Sequence, residues 1–258
     1  AIRGATRLML GRTREAEEDL MVPGLNDDQE MAAWRGAMFA EKHEWKRSYD
    51  EFVLAGGIPE AYSQRARVWL RKRATDAALR AKDMEMANKL LIALAREEEL
   101  GPADVTEIQL LRGRGFEAIG DLEKALTHYR DVMKAGVRPT EARANFARIN
   151  ASLENREMTL EDATLELERL RFSWRGDDFE FELLRRLGDL YLDIGDFRKS
   201  LSVHRLAVTY FPDLPDTKVV SEEMNGVFKR LFLDGEADAM SAISALALFY
   251  DFRELTPL

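Results

Sequence analysis

Small residues recur along this chain at a fixed double spacing, and that spacing limits the fold more than any other feature. Gly113, Gly120 and Ala125 are separated by seven and then five residues, as are Gly188, Gly195 and Ser200, and again Gly4, Gly11 and Ala16. Seven residues are two turns of a helix, so the first residue of each trio lies on one helix, the second ends it, and the third starts the return helix. Small side chains at the first and third positions let two antiparallel helices approach closely. Pro23, Pro59, Pro102, Pro139 and Pro212 follow the same rhythm, 36, 43, 37 and 73 residues apart. A repeat of about 38 residues is expected, each unit a helix pair whose exposed apolar face is covered by the next pair.

The clearest unit runs from Leu184 to Pro212. It contains Leu187-Gly188, Tyr191, Gly195-Asp196-Phe197, Ser200, Ala207 and Pro212. This pattern resembles the tetratricopeptide repeat family, with Leu184 where that family usually has Trp and His204 where it prefers an aromatic. A second copy carries Gly113, Phe116, Gly120-Asp121-Leu122, Ala125, Tyr129 and Pro139. A third carries Gly36, Phe39, Trp45, Ser48, Phe52, Ala55 and Pro59, with His43-Glu44 in place of the Gly-Asp turn. Degenerate copies centre on Ala87 with Leu91 and Leu94, and on Leu160 and Ala163 with Leu167 and Leu170.

The resemblance implies an all-α fold, a right-handed α-solenoid of antiparallel helix pairs. Residues 1–258 are expected to form one array of about seven pairs, with 1–23 a truncated first repeat and 216–258 a degenerate last one. In that last repeat, helices are expected at Val219 to Leu233 and Ala237 to Phe249. Only three residues precede Gly4, too few for a full first helix, so the chain is expected to be a piece of a longer protein, and the segment Leu246 to Pro257 resembles part of large bacterial repeat proteins of the cell envelope. A non-repetitive helical bundle is the alternative.

Composition agrees with helices, since Leu and Ala far outnumber the β-branched residues that strands favour. Hydrophobic residues make up 46% of the chain, enough for a packed core despite 33% charged residues. Forty-seven acids against 38 bases give a net charge of −9, which argues against a dedicated nucleic-acid binder. There is no cysteine, which excludes disulfides, thiolate metal sites and cysteine nucleophiles. The longest apolar run, Met240 to Tyr250, is too short to cross a bilayer. The compartment stays open between cytoplasm and periplasm, and the resemblance of Leu246 to Pro257 leans towards the cell envelope.

Catalytic chemistry finds little footing. His43, His128 and His204 lack metal-ligand spacing, and the fourth residue after His43 is Arg47 instead of a second histidine. His43 is expected in an interhelical turn, and the other two in packing positions. Gly113-Arg114-Gly115 lacks the preceding strand of a dinucleotide fingerprint, so close helix packing explains its glycines better. No enzyme activity, metal or cofactor is expected.

In arrays of this family the first helix of each pair lines a concave groove, where the resemblance implies that protein or peptide partners bind. Projecting the register inward gives Trp69, Lys72, Arg80, Glu107, Arg114, Asn145, Arg148, Arg156 and Arg185. Lys72, Arg80, Arg114, Arg148 and Arg185 are the expected partner-binding ladder, positive and suited to an acidic segment or a terminal carboxylate, because a guanidinium offers carboxylates a planar fork of donors. The competing reading is that these bases pair with acids of the adjacent helix. The dense basic run Arg65 to Arg73 carries the same ambiguity. The expected function is a non-catalytic interaction scaffold. The alternatives are the superhelical arm of a larger enzyme, such as a cell-wall lytic enzyme, or a ligand-sensing regulator.

Overall fold

The computed structural model describes residues 2–26 and 28–256. It is all-α: fourteen α-helices and three single turns of 3-10 helix, with no strand among the described residues. The chain divides into two compact units, residues 1–152 and 153–258.

The first unit is a row of antiparallel pairs. Helix α1 (Ile2–Met9) packs on α2 (Thr13–Leu20), α3 (Gln29–Glu41) on α4 (Trp45–Ala55), α5 (Gln64–Arg80) on α6 (Met84–Ala95), and α7 (Pro102–Ala118) on α8 (Leu122–Ala135). Helix α9 (Arg138–Glu154) follows and adds Ala144 and Ala151 to the core of the α7–α8 pair. First helices also pack side by side, α3 on α5 and α5 on α7. In the second unit α10 (Leu160–Ser173) packs on α11 (Asp178–Ile194), α11 on α12 (Phe197–Tyr210), and α12 on α13 (Thr217–Phe232). Helix α14 (Ala242–Asp251) completes it, packing through Leu248 against a cluster with Leu231 and Phe228.

The double spacing has a physical basis at each turn. Five helices end in one arrangement: Gly11, His43, Lys82, Gly120 and Gly195 are left-handed, with φ between +58° and +84°. The next residue then donates its amide back to the carbonyl five positions earlier. The bonds Arg12 to Arg7, Glu44 to Phe39, Asp83 to Ala78, Asp121 to Phe116 and Asp196 to Tyr191 measure 2.8–3.0 Å. This satisfies carbonyls that the helix end would otherwise strand. Asp83, Asp121 and Asp196 then cap the second helix by accepting from Met86, Lys124 and Lys199. His43 thus takes the place of glycine in its turn, at the conformational cost of a side chain in left-handed space.

Close approach follows at the first glycine of each trio. A Cβ built on Gly4 would stand 2.9 Å from Leu20, on Gly36 3.0 Å from Phe52, and on Gly113 2.5 Å from the Tyr129 ring. On Gly188 it would overlap His204. Each of these covering side chains lies sixteen residues after its glycine and is buried. His204 is therefore a core residue in an aromatic's place, with Nε2 3.2 Å from the Arg185 carbonyl and Nδ1 without a hydrogen-bond partner.

Three details differ from the sequence reading. Prolines mark helix starts as well as loops: Pro102 is the first residue of α7 and Pro139 the second of α9, positions where a missing N–H costs nothing. The last helix begins at Ala242, five residues later than expected, because Gly235 turns left-handed into a 3-10 turn and Ser241 supplies the cap. Arg156 lies beyond the end of α9, at φ +58°, and so is not on a first-helix face.

Candidate functional site

In the first unit the expected ladder lies on α5, α7 and α9, and each base has a polar partner. Lys72 Nζ is 2.7 Å from Asp104 and 2.5 Å from Glu107, both on α7, and its side chain is almost fully buried. Arg114 Nη1 donates to Asp76 of α5 at 2.7 Å. Arg80 reaches the same carboxylate at 3.3 Å, while its guanidinium lies 4.0 Å above the Trp45 ring. Arg148 donates to the Asn145 side chain at 2.9 Å. In the second unit Arg185 of α11 bridges to Asp216 at 3.3 Å and to Glu223 of α13 at 3.1 Å.

Asp76 is the centre of the first unit's arrangement. Burial pushes its carboxyl up, but the charges of Arg114, Arg80 and Arg143 outweigh that and hold it below the ordinary aspartate value. Arginines from three first helices thus act on one carboxylate. Lys72, Arg114 and Arg185 contact carboxylates from a neighbouring helix, whereas Arg80 pairs with Asp76 and Arg148 with Asn145 on their own helices.

The basic run 65–73 is anchored in the same manner. Arg67 and Arg71 share Glu97, and Arg71 also pairs with Glu60. Arg73 pairs with Glu41 and lies 3.6 Å above the Trp69 ring. Trp69 stacks on Trp34 at 6.1 Å, and Trp34 donates to the Tyr62 hydroxyl at 3.0 Å. Burial, then the hydrogen bond to Glu30, pushes the Tyr62 phenol up to about 12. Burial, then Arg112, lowers the pKa of His128, which stacks on Phe116 at 5.3 Å.

Sequence reasoning placed Trp69, Glu107, Arg114 and Lys72 on this face but missed Asp76 and Arg143. The signal was present: Asp76 and Arg114 are 38 residues apart, one repeat, and so hold the same register position on adjacent first helices. Among the described residues, no group of three His, Asp or Glu side chains is placed to hold a metal, and no helix is long and apolar enough to cross a membrane.

The fold and these surfaces define an all-α protein of the helical-repeat class. No family model matches the chain, and no curated protein sequence matches it. Among solved structures it is similar to BtubC (BKLC) from P. vanneervenii, with 15% sequence identity and a TM-score of 0.52, covering 90% of this chain and 94% of that one. Identity that low makes this a likeness of fold alone.

Proposed function

We propose that the chain is a non-catalytic protein-interaction scaffold of tetratricopeptide type, a right-handed array whose first helices receive a partner segment. The observation that carries this reading is the Asp76 carboxylate, which is held by Arg114 and Arg80 and lies in the field of Arg143. It occupies the role expected of a partner's carboxylate. An acidic partner segment or terminal carboxylate would exchange with Asp76, and with Glu107 at Lys72, for the same cations. The Arg80 and Arg114 pairs are part-exposed and contribute about 0–1 kcal/mol each, so exchange there costs little, while the buried Lys72 rung costs more to open, and binding depends on several rungs together. Arg148 extends the ladder on α9, and Arg185 offers the same chemistry in the second unit.

The partner is recovered by pull-down from native lysate and its affinity for purified variants measured. Arg114→Glu with Arg148→Glu is expected to weaken binding at least tenfold. Asp76→Asn is expected to tighten it, because the internal competitor is gone. Unchanged affinity in the double variant, with helicity intact by circular dichroism, contradicts the ladder.

A further inference from the structure

Helix α14 is apolar on two faces, and only one of them is covered. Leu248 and the adjoining Phe252 are buried, and Ala245 and Phe249 pack beside them. On the opposite side Ile243, Leu246 and Tyr250, spaced three and four residues apart, form a stripe that is 83%, 58% and 58% exposed. The only charge on the helix is Asp251, at its end. Helices apolar all round are ordinarily enclosed, so the outer stripe calls for an occupant.

Charges at the two ends of the stripe specify which. Asp238, in the 3-10 turn before the helix, is exposed and has no cationic partner among the described residues. Arg253, just after it, donates to the Tyr250 carbonyl at 3.3 Å and has no carboxylate partner among them. Among the described residues the stripe therefore ends in an unmatched acid on one side and an unmatched base on the other. A two-fold axis beside Leu246 and Ala247 would lay Ile243 of one copy on Tyr250 of the other. The same operation brings Arg253 of each copy level with the turn that carries the other's Asp238. It also sets the helix dipoles antiparallel, with each N-terminus beside the other's C-terminus.

We infer that α14 is a self-association surface, pairing antiparallel with α14 of a second copy of this chain through Ile243, Leu246 and Tyr250, with Arg253 of each copy meeting Asp238 of the other. The stripe is short, so the dimer is weak and concentration-dependent. Sedimentation equilibrium of the chain from about 10 µM to about 500 µM is expected to show the mass rising from 29.5 kDa towards twice that value. Leu246→Glu with Tyr250→Glu keeps the helicity, since both side chains are exposed, and is expected to abolish the rise. Asp238→Arg and Arg253→Glu are each expected to weaken association several-fold, and the two combined to restore it. A wild-type mass that stays monomeric overturns the proposal. So does a rise unaffected by the Leu246 and Tyr250 changes, or a charge swap that fails to restore association.

Discussion

Helix pairs α7–α8 and α11–α12 are built on one frame but filled with different chemistry. In both, a glycine on the first helix is pressed by a side chain sixteen residues later, and Gly-Asp turns the chain between the helices. In the first pair the pressing residue is Tyr129, whose phenol bonds Glu117. Burial, then that carboxylate, pushes the Tyr129 phenol far above its ordinary value. In the second pair it is His204, whose Nδ1 is buried without a partner. The frame is set by shape, then, and the polar tip of the pressing residue adds or subtracts a hydrogen bond. Helix α13 has a glycine outside this frame: nothing lies within 4 Å of where a Cβ on Gly226 would stand.

The largest effect is expected where frame and helix preference oppose each other. Gly113→Ala forces a methyl group into the Tyr129 ring and should destabilise by about 2–3 kcal/mol. Gly226→Ala meets open space inside a helix and should stabilise by about 0.5–1 kcal/mol. Urea denaturation of both variants checks the contrast, and equal losses would break it.

Next comes the polar tip. Tyr129→Phe removes the bond to Glu117 and should cost about 1 kcal/mol, while His204→Phe gives up the long Nε2 contact to the Arg185 carbonyl but also removes the orphaned Nδ1, so the two effects offset and the net loss should be smaller, near 0 kcal/mol. A loss at His204→Phe as large as that at Tyr129→Phe would show that the imidazole is more than a filler.

Smaller still are the turns. Lys82→Gly relieves a left-handed side chain and should stabilise by a few tenths to about 1 kcal/mol, whereas Gly120→Ala should cost about 1 kcal/mol. Thermal melts of the pair compare a turn with the glycine against one without.

The charge lattice adds a pH effect. Asp76 has a folded pKa below its unfolded value, so its stabilising contribution is complete above the unfolded value of about 3.9. It is lost as pH falls through the folded value. Asp76→Asn should flatten the acid limb of stability against pH below about pH 4 while leaving the slope near neutrality unchanged.

These contrasts also explain what was legible in the sequence. Gly113, Gly120 and Ala125, and their counterparts around Gly188, announce themselves because small residues and Gly-Asp turns have few other uses in helices. Lys82 adopts the same left-handed turn with no mark in its side chain, and the preceding register position holds Thr75 in place of glycine, so that pair was legible only through Ala87. The ladder bases were visible, but apart from Asp76 beside Arg80 their acids are not sequence neighbours. Glu107 reaches Lys72 across 35 residues, Asp76 reaches Arg114 across 38, and Glu223 reaches Arg185 across 38. Such pairing emerges only when successive first helices are laid side by side at the repeat spacing. The apolar outer face of α14 was hidden because the run Met240 to Tyr250 is equally apolar on both sides, and sequence alone does not divide a core face from an open one.

In each pair that carries it, the glycine and the side chain sixteen residues after it act as one unit, and a double-mutant cycle at Gly113 and Tyr129 measures that directly. Gly113→Ala, Tyr129→Leu and the double variant are compared by urea denaturation. If the two residues share one contact, the smaller leucine makes room for the added methyl, and the double variant is less destabilised than the sum of the singles by about 1 kcal/mol or more. Additive losses would mean that the two positions do not meet, and the repeat frame proposed for this chain would be wrong.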